Sequence, residues 1–350
     1  MKLSLAFLIL LGCFSFLWIP PKKEGFAFEI ELKNGGSFEV FEVKNEMGGL
    51  EKYTANIQAP VCEEGVCYPI SLIFNWNLIG EFMNYEMIDG EPLTKLDHVP
   101  FLPKDYEKLQ LILTDKDLSF VKIPAEELVV KTPKDSVDGY SGATKETIKK
   151  EIIEGALYTC YTLWHIAHGA VVDSIEQHTL KKLDKVLIEQ VAKLRKQSAN
   201  YFLINHLTDK QFEENTGVVL TLIKEGKGYF SKNAIEKMPS SVFQKNQAFI
   251  IAHYPHFDYY TQLALLNKLN SVVLNEPLES LLIENLSSRN SALNQKITTL
   301  ILKTTHQLIL EKLVDQLIQK KIALTTTAYQ QLESLSGSFR DKIKEIEKVN

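Results

Sequence analysis

A chain of 350 residues with 45% hydrophobic and 24% charged composition is ordinary globular material, long enough for two packed cores. Its net charge of −5, with acidic and basic residues interspersed, supplies no concentrated positive field and weighs against nucleic acid as a partner. Neither G-x-S-x-G nor G-x-x-x-x-G-K-[ST] occurs, so serine-hydrolase and P-loop chemistry have no support.

At the N-terminus, Lys2 precedes an apolar run from Leu3 to Ile19 that stops at Pro20-Pro21 and the charged Lys22-Lys23-Glu24. This pattern predicts a signal peptide or N-terminal anchor over residues 1–27 and export to the periplasm or cell envelope. Leu10-Leu11-Gly12-Cys13 has the form of a lipobox, which leaves lipidation at Cys13 and membrane anchorage open. In an oxidising compartment Cys62 and Cys67, framing Glu63-Glu64-Gly65-Val66, are expected to form a disulfide, with a redox-active dithiol as the alternative. Cys160, in an apolar helical stretch, reads as a small core residue.

Strand-like periods dominate up to about Val130. Candidate strands or short elements are Phe26 to Glu31, Ser37 to Lys44, Tyr53 to Ile57, Tyr68 to Phe74, Glu81 to Ile88 and Lys108 to Leu113, with Asn34-Gly35-Gly36 the clearest turn. Pro92 to His98 reads as a loop entering a helix. Next comes Val137-Asp138-Gly139-Tyr140-Ser141-Gly142-Ala143-Thr144, followed by a helical run expected from Lys145 to about His168 and stopped by Gly169. Ser141 and Thr144 are helix N-cap types, and Gly142 lets backbone approach a ligand closely. A helix starting here would offer free N–H groups and the positive end of its dipole, a phosphate site in outline.

Asp138, Ser141, Gly142, Ala143 and Thr144 resemble the flavinylation motif of the FMN-binding domain family, found in subunits of sodium-pumping quinone reductases and related redox proteins. The resemblance implies that a flavin transferase attaches FMN through its phosphate to the Thr144 hydroxyl, within a recognised sequence formed by Asp138 and Ser141-Gly142-Ala143. It covers about Ala27 to Gly169, but only the motif and the segment after it are specific. Contacts to the flavin ring are not carried over to Trp76, His98 or Tyr106, since an aromatic in such a position is more often core. His165 and His168, and His253 and His256, stand three apart, yet a metal needs more converging ligands, and no metal site is assigned. His165, beside Trp164, is expected to hold a backbone carbonyl.

From about Asp173 the chain is helical. Ile175 to Leu194, Leu263 to Val273, Leu278 to Leu286, Leu293 to Leu302 and Leu308 to Ile322 repeat apolar residues at helical spacing. The fold class is therefore α+β: a sheet-rich FMN-binding-like domain over residues 28–170, then an all-α bundle or irregular solenoid over 171–350. The expected function is that of an exported flavoprotein carrying covalent FMN in electron transfer, with no protein catalytic residue and with redox donor and acceptor unassigned. Two alternatives stand beside it: a non-catalytic envelope protein whose helical half docks a membrane or protein partner, and a thiol-disulfide protein using Cys62 and Cys67.

Overall fold

The computed structural model describes residues 23–32, 36–61, 69–88, 92–130, 143–144, 148–337 and 339–349. The N-terminal apolar run, Cys62 and Cys67, and Asp138, Ser141 and Gly142 lie outside the described residues, as do the side chains of Ala143 and Thr144. The protein is α+β, and it divides into two compact units, Met1–Ile175 and Glu176–Asn350.

The first unit is built on a five-stranded antiparallel meander of β1 (Lys23–Glu31), β2 (Ser37–Lys44), β3 (Leu50–Ala59), β4 (Ile70–Trp76) and β5 (Phe82–Met87), in chain order. Period-2 patterning makes the strands. In β3, Tyr53, Ala55, Ile57 and Ala59 are buried, while Asn56 and Gln58 between them are exposed. The register sets Tyr53 opposite Trp76, Ala55 opposite Phe74 and Ile57 opposite Leu72, so the buried rows of β3 and β4 share one face. Phe74 meets Phe82 edge-on at 5.1 Å and Trp76 at 5.8 Å, which fills that face with aromatic area. In the β4–β5 turn the Asn77 carboxamide oxygen accepts from Ile79 N and Glu81 N, both at 3.0 Å. Gly80 there has φ +78, and a Cβ would stand 2.8 Å from the Val172 carbonyl oxygen, so only glycine fits.

The sixth expected strand, Lys108 to Leu113, is instead part of helix α1 (Pro103–Thr114). Pro103 starts it, the Asp105 carboxylate accepts from Leu102 N at 2.8 Å, and Leu109, Ile112 and Leu113 bury one face at helical spacing. Two short 3-10 turns, Ser119–Lys122 and Ala125–Glu127, lead to β6 (Val129–Val130), which pairs antiparallel with β7 (Ala143–Thr144). The helix expected from Lys145 is shorter: residues 148–156 run in turns, and α2 spans Leu157–Ala167. Gly155, at φ +77, breaks the helical path, and the apolar spacing of Ile148, Ile152 and Ala156 comes from a buried turn segment instead.

Helix α2 is fastened by its ring N–H groups. Trp164 Nε1 donates to Asp115 O at 2.7 Å and His168 Nε2 to Leu113 O at 2.8 Å, covering carbonyls at the C-terminal end of α1. Gly169 does end α2, but α3 (Ala170–Lys181) resumes at once.

The second unit is helical. The run expected from Ile175 to Leu194 is split: α3 ends at Lys181, and the Asp184 side chain accepts from Leu187 N at 2.8 Å to cap α4 (Lys185–Lys193). Then come α5 (Gln197–His206), α6 (Asp209–Glu214), α7 (Thr216–Glu225), α8 (Phe230–Lys237), α9 (Ser240–Lys245), α10 (Gln247–His253), α11 (Tyr259–Leu269), α12 (Glu276–Glu284) and α13 (Ser291–Ile301). The unit closes with α14 (Gln307–Gln319), β8 (Leu324–Thr325), α15 (Thr326–Leu335), α16 (Arg340–Ile343) and β9 (Lys348–Val349), the two strands pairing in parallel. Side-chain caps at Thr208, Asp258, Asn275, Asn290 and Thr325 account for the many short helices.

Packing is sequential. Helix α8 lies on α11 and α11 on α13, while α10 lies on α12, α12 on α14 and α14 on α16. These helices thus meet neighbours close in sequence. A ladder of lysines binds the successive layers: Lys268 Nζ donates to Glu236 O at 3.0 Å, Lys303 Nζ to Asn270 O at 2.8 Å, and Lys320 Nζ to Glu284 O and Leu286 O at 2.8 and 2.7 Å. Among the described residues no helix is long and apolar enough to cross a membrane.

Candidate functional site

The motif threonine lies in extended backbone. Thr144 pairs with Val129 and Ala143 with Val130, antiparallel, and the next helix begins at Leu157. The expectation that Thr144 opens a helix is therefore corrected: α2's dipole end stands 13 residues further along the chain, so a phosphate on Thr144 is not served by it as the next element. Of the motif, the structure describes the backbone of Ala143 and Thr144; Asp138, Ser141 and Gly142 fall outside it.

The segment from Ile148 to Ala156, between Thr144 and α2, is anchored firmly. Ile148, Ile152, Ile153 and Ala156 are buried. The Glu151 carboxylate accepts from Ser119 N at 2.8 Å, Ser119 Oγ at 2.7 Å and Phe120 N at 3.4 Å, closing the start of the Ser119–Lys122 turn. Lys108 Nζ donates to Ile152 O, and Leu96 N donates to Gly155 O at 2.7 Å. Gly155 has φ +77, and a Cβ on it would press Lys95 Cβ at 3.3 Å, a close approach that favours glycine.

The partner in this docking is the loop Lys95–Val99. Its base is an ion pair, Lys95 Nζ to Asp105 Oδ2 at 2.7 Å, with the Asp105 side chain only 8% exposed. The hydrogen bond from Lys95 holds the Asp105 carboxyl below the usual carboxylate range, helped by Leu102 N, against the opposing effect of burial. Above this base Asp97 and His98 both take φ 58, the left-handed region that non-glycine residues seldom occupy, and the turn is pinned by Lys95 N donating to Val99 O at 2.7 Å. Tyr106 supports the same loop: its hydroxyl accepts from Leu93 N at 3.2 Å, while its carbonyl accepts from the Tyr85 hydroxyl at 2.8 Å. Burial, and secondarily Tyr106, push the Tyr85 phenol upward.

The aromatics considered for a flavin ring are thus distributed differently. Trp76 is fully buried, with Nε1 donating to Ala167 O at 2.8 Å. Tyr106 is a loop support, and His98 is exposed on the left-handed turn. His168 Nε2 donates to Leu113 O, and burial lowers the pKa of its imidazole; His165 packs edge-on against Tyr161 at 4.3 Å. Cys160 is fully buried, and burial pushes its thiol up to about 11, the character of a core residue and not of a nucleophile. Among the described residues no three His, Cys, Asp or Glu side chains are grouped to hold a metal.

Glu151, the Lys95–Asp105 pair and the Asp97-His98 turn were not anticipated. Asp105 three residues after Leu102, behind Pro103, carried a legible helix-start signal; Glu151 carried none, because its partners lie 31 and 32 residues away. No family model, curated protein or solved structure matches the chain.

Proposed function

We propose that this chain is a flavin carrier, holding FMN by a phosphoester on Thr144 and serving electron transfer at the cell envelope. The observation that carries the reading is the spacing D-x-x-S-G-A-T, in Asp138, Ser141, Gly142, Ala143 and Thr144. The extended backbone at Ala143–Thr144 supports it, since an enzyme that modifies one side chain within a sequence can read an extended acceptor through main-chain hydrogen bonds. The fit is to the hydroxyl and the sequence around it; a helix dipole does not enter, because α2 starts at Leu157.

Bound flavin supplies one- or two-electron transfer, so no acid, base or nucleophile of this chain is assigned a catalytic step. The chain's own part is positional. Glu151 holds the segment from Ile148 to Ala156 to the Ser119–Lys122 turn, Lys108 holds it to α1, and the Gly155–Leu96 bond holds it to the loop before α1. The partners required are a flavin transferase and a redox donor and acceptor, reached in the envelope through a membrane or protein contact.

The test is the intact mass of the protein isolated from its native envelope, beside Thr144→Ala and Thr144→Ser. An increment equal to FMN less one water, absent from Thr144→Ala, is expected. An unmodified mass from native cells with an active flavin transferase ends the proposal.

A further inference from the structure

The helical unit sorts charges that the sequence intersperses. Lys268 Nζ donates to Glu236 O and Lys303 Nζ to Asn270 O, so α8, α11 and α13 bring their ends together and their starts share the opposite edge. There Tyr229, just before α8, meets Tyr260 of α11 at 5.7 Å, and Tyr260 meets Tyr259 at 5.2 Å. Helices α7, α10 and α12 run into these starts through short turns, so their ends lie on the same edge. Burial first, then Lys224 and His256, lower the His253 imidazole, which sets the end of α7 beside the end of α10. Lys320, donating to Glu284 O and Leu286 O, adds the end of α14.

On the turns of this edge Lys224, Lys227, Arg289 and Lys321 are exposed and make no ion pair or side-chain hydrogen bond among the described residues. The carboxylates on these turns are fewer and mostly engaged: Asp258 caps α11 and Glu284 takes Lys312, which leaves Glu225. Tyr229, Tyr259 and Tyr260 stand 62, 39 and 51% exposed beside them. At the opposite edge Lys210 pairs with Glu214, Lys245 with Glu213 and His306 with Glu276 and Glu279, while Lys303 is held by Asn270; Lys237 is the exception. Free cations and exposed aromatics thus gather at one edge.

We propose that this edge seats the protein on a bilayer surface containing anionic lipid, with the tyrosines at headgroup depth and the lysines and arginine on lipid phosphates. Packed helices stand about 8–10 Å apart, so cations on successive turns cannot close on one small anion. That spacing is near the Debye length of about 8 Å at physiological salt, and neighbouring turns act jointly on an extended negative surface. Tyrosine joins an apolar ring to a wet hydroxyl, the shape enriched where membrane meets water. Because α8 packs on α11, Tyr229 and Tyr260 are already held together, and seating them orders little that was free. A single-stranded nucleic acid would need ring faces for its bases, whereas these rings cross at 56° and 72° and lean on one another. The surface does not depend on the flavin reading, and its test involves neither Thr144 nor redox activity.

The test mixes the full chain with phosphatidylcholine vesicles, either pure or with about 30 mol % phosphatidylglycerol, and reads flotation and amide exchange. Tighter binding to the anionic vesicles is expected, with slowed exchange at Lys227–Tyr229 and His256–Tyr260. Each cation near such a surface is worth about fivefold in affinity, so Lys227→Glu with Arg289→Glu should weaken binding at least tenfold. Lys210→Glu with Lys237→Glu, which alters net charge equally at the opposite edge, should not. Tyr229→Ser with Tyr260→Ser should weaken binding to both kinds of vesicle. All these side chains are exposed, equal thermal midpoints establish that the variants fold, and the N-terminal apolar run is common to every protein compared. Unchanged exchange on the two turns, equal loss in the two charge-reversed variants, or preference for a single-stranded oligonucleotide over the anionic vesicles overturns the proposal.

Discussion

Trp76 Nε1 donates to Ala167 O at 2.8 Å, joining the inner strand β4 to the last residue of α2 across 91 positions of sequence. Both partners are buried. Trp76→Phe removes the donor, strands the carbonyl and leaves a void, so a loss of about 3 kcal/mol is expected from the combined desolvation and cavity costs. Urea unfolding followed by circular dichroism measures it. A loss below about 1 kcal/mol would mean that α2 is held by its other contacts.

Acid should act through Asp105. Its folded-state carboxyl titrates below the unfolded value, so its stabilisation is fully present above an unfolded pKa of about 3.9 and is lost as pH falls through the lower, folded value. Asp105→Asn is expected to cost about 3 kcal/mol at pH 7, leaving Lys95 half-buried without its partner. The variant's stability should also fall less steeply than the wild type's below pH 4, as read from unfolding curves across that range.

His168 works in the opposite sense. Burial lowers its folded-state pKa, so the native state binds its proton less readily than the unfolded chain, and stability declines as pH drops below about 6.5. His168→Gln retains a donor for Leu113 O but does not titrate. Thermal midpoints between pH 7 and pH 5 should therefore slope less in the variant; an identical slope would assign the decline to other groups.

The left-handed pair in the Lys95–Val99 loop offers a gain. At φ 58 an L-residue other than glycine is strained by roughly 1–2 kcal/mol. His98→Gly relieves that strain but loosens the unfolded chain, and a net stabilisation of about 0.5–1 kcal/mol is expected. Chemical denaturation checks it.

Glu151→Ala should release the Ser119–Lys122 turn by removing the acceptor of three donors, at a cost of about 1–2 kcal/mol, the scale of a lost helix cap. Amide exchange at Ser119 and Phe120 is the direct readout, and unchanged protection there would show that the turn stands without the carboxylate.

Much of the sheet was legible because its alternation is a local property: Tyr53, Ala55 and Ile57 repeat every two residues, and β3 is the result. Lys108 to Leu113 misled because a short apolar run fits both periods, and what decided for the helix was Pro103 with Asp105 behind it. The run after Thr144 misled for a related reason. Ile148, Ile152 and Ala156 are spaced like a helical face, yet they are buried by turns whose bonds reach to Leu96, Lys108 and Ser119, partners that no local period announces. The site was legible only as a string of residue types around Thr144.

The lysine ladder gives the helical unit a direction. Lys268, Lys303 and Lys320 each reach back to carbonyls at the end of an earlier helix, so α8, α11 and α12 are each finished by a lysine that comes later in the chain. A chain shortened from its C-terminus loses more than the helices removed, because the last layer left behind keeps bare carbonyls where an ammonium had been. Growth and decay of the stack are therefore not mirror images: a nascent unit would stay frayed at its leading edge until synthesis supplied the next lysine.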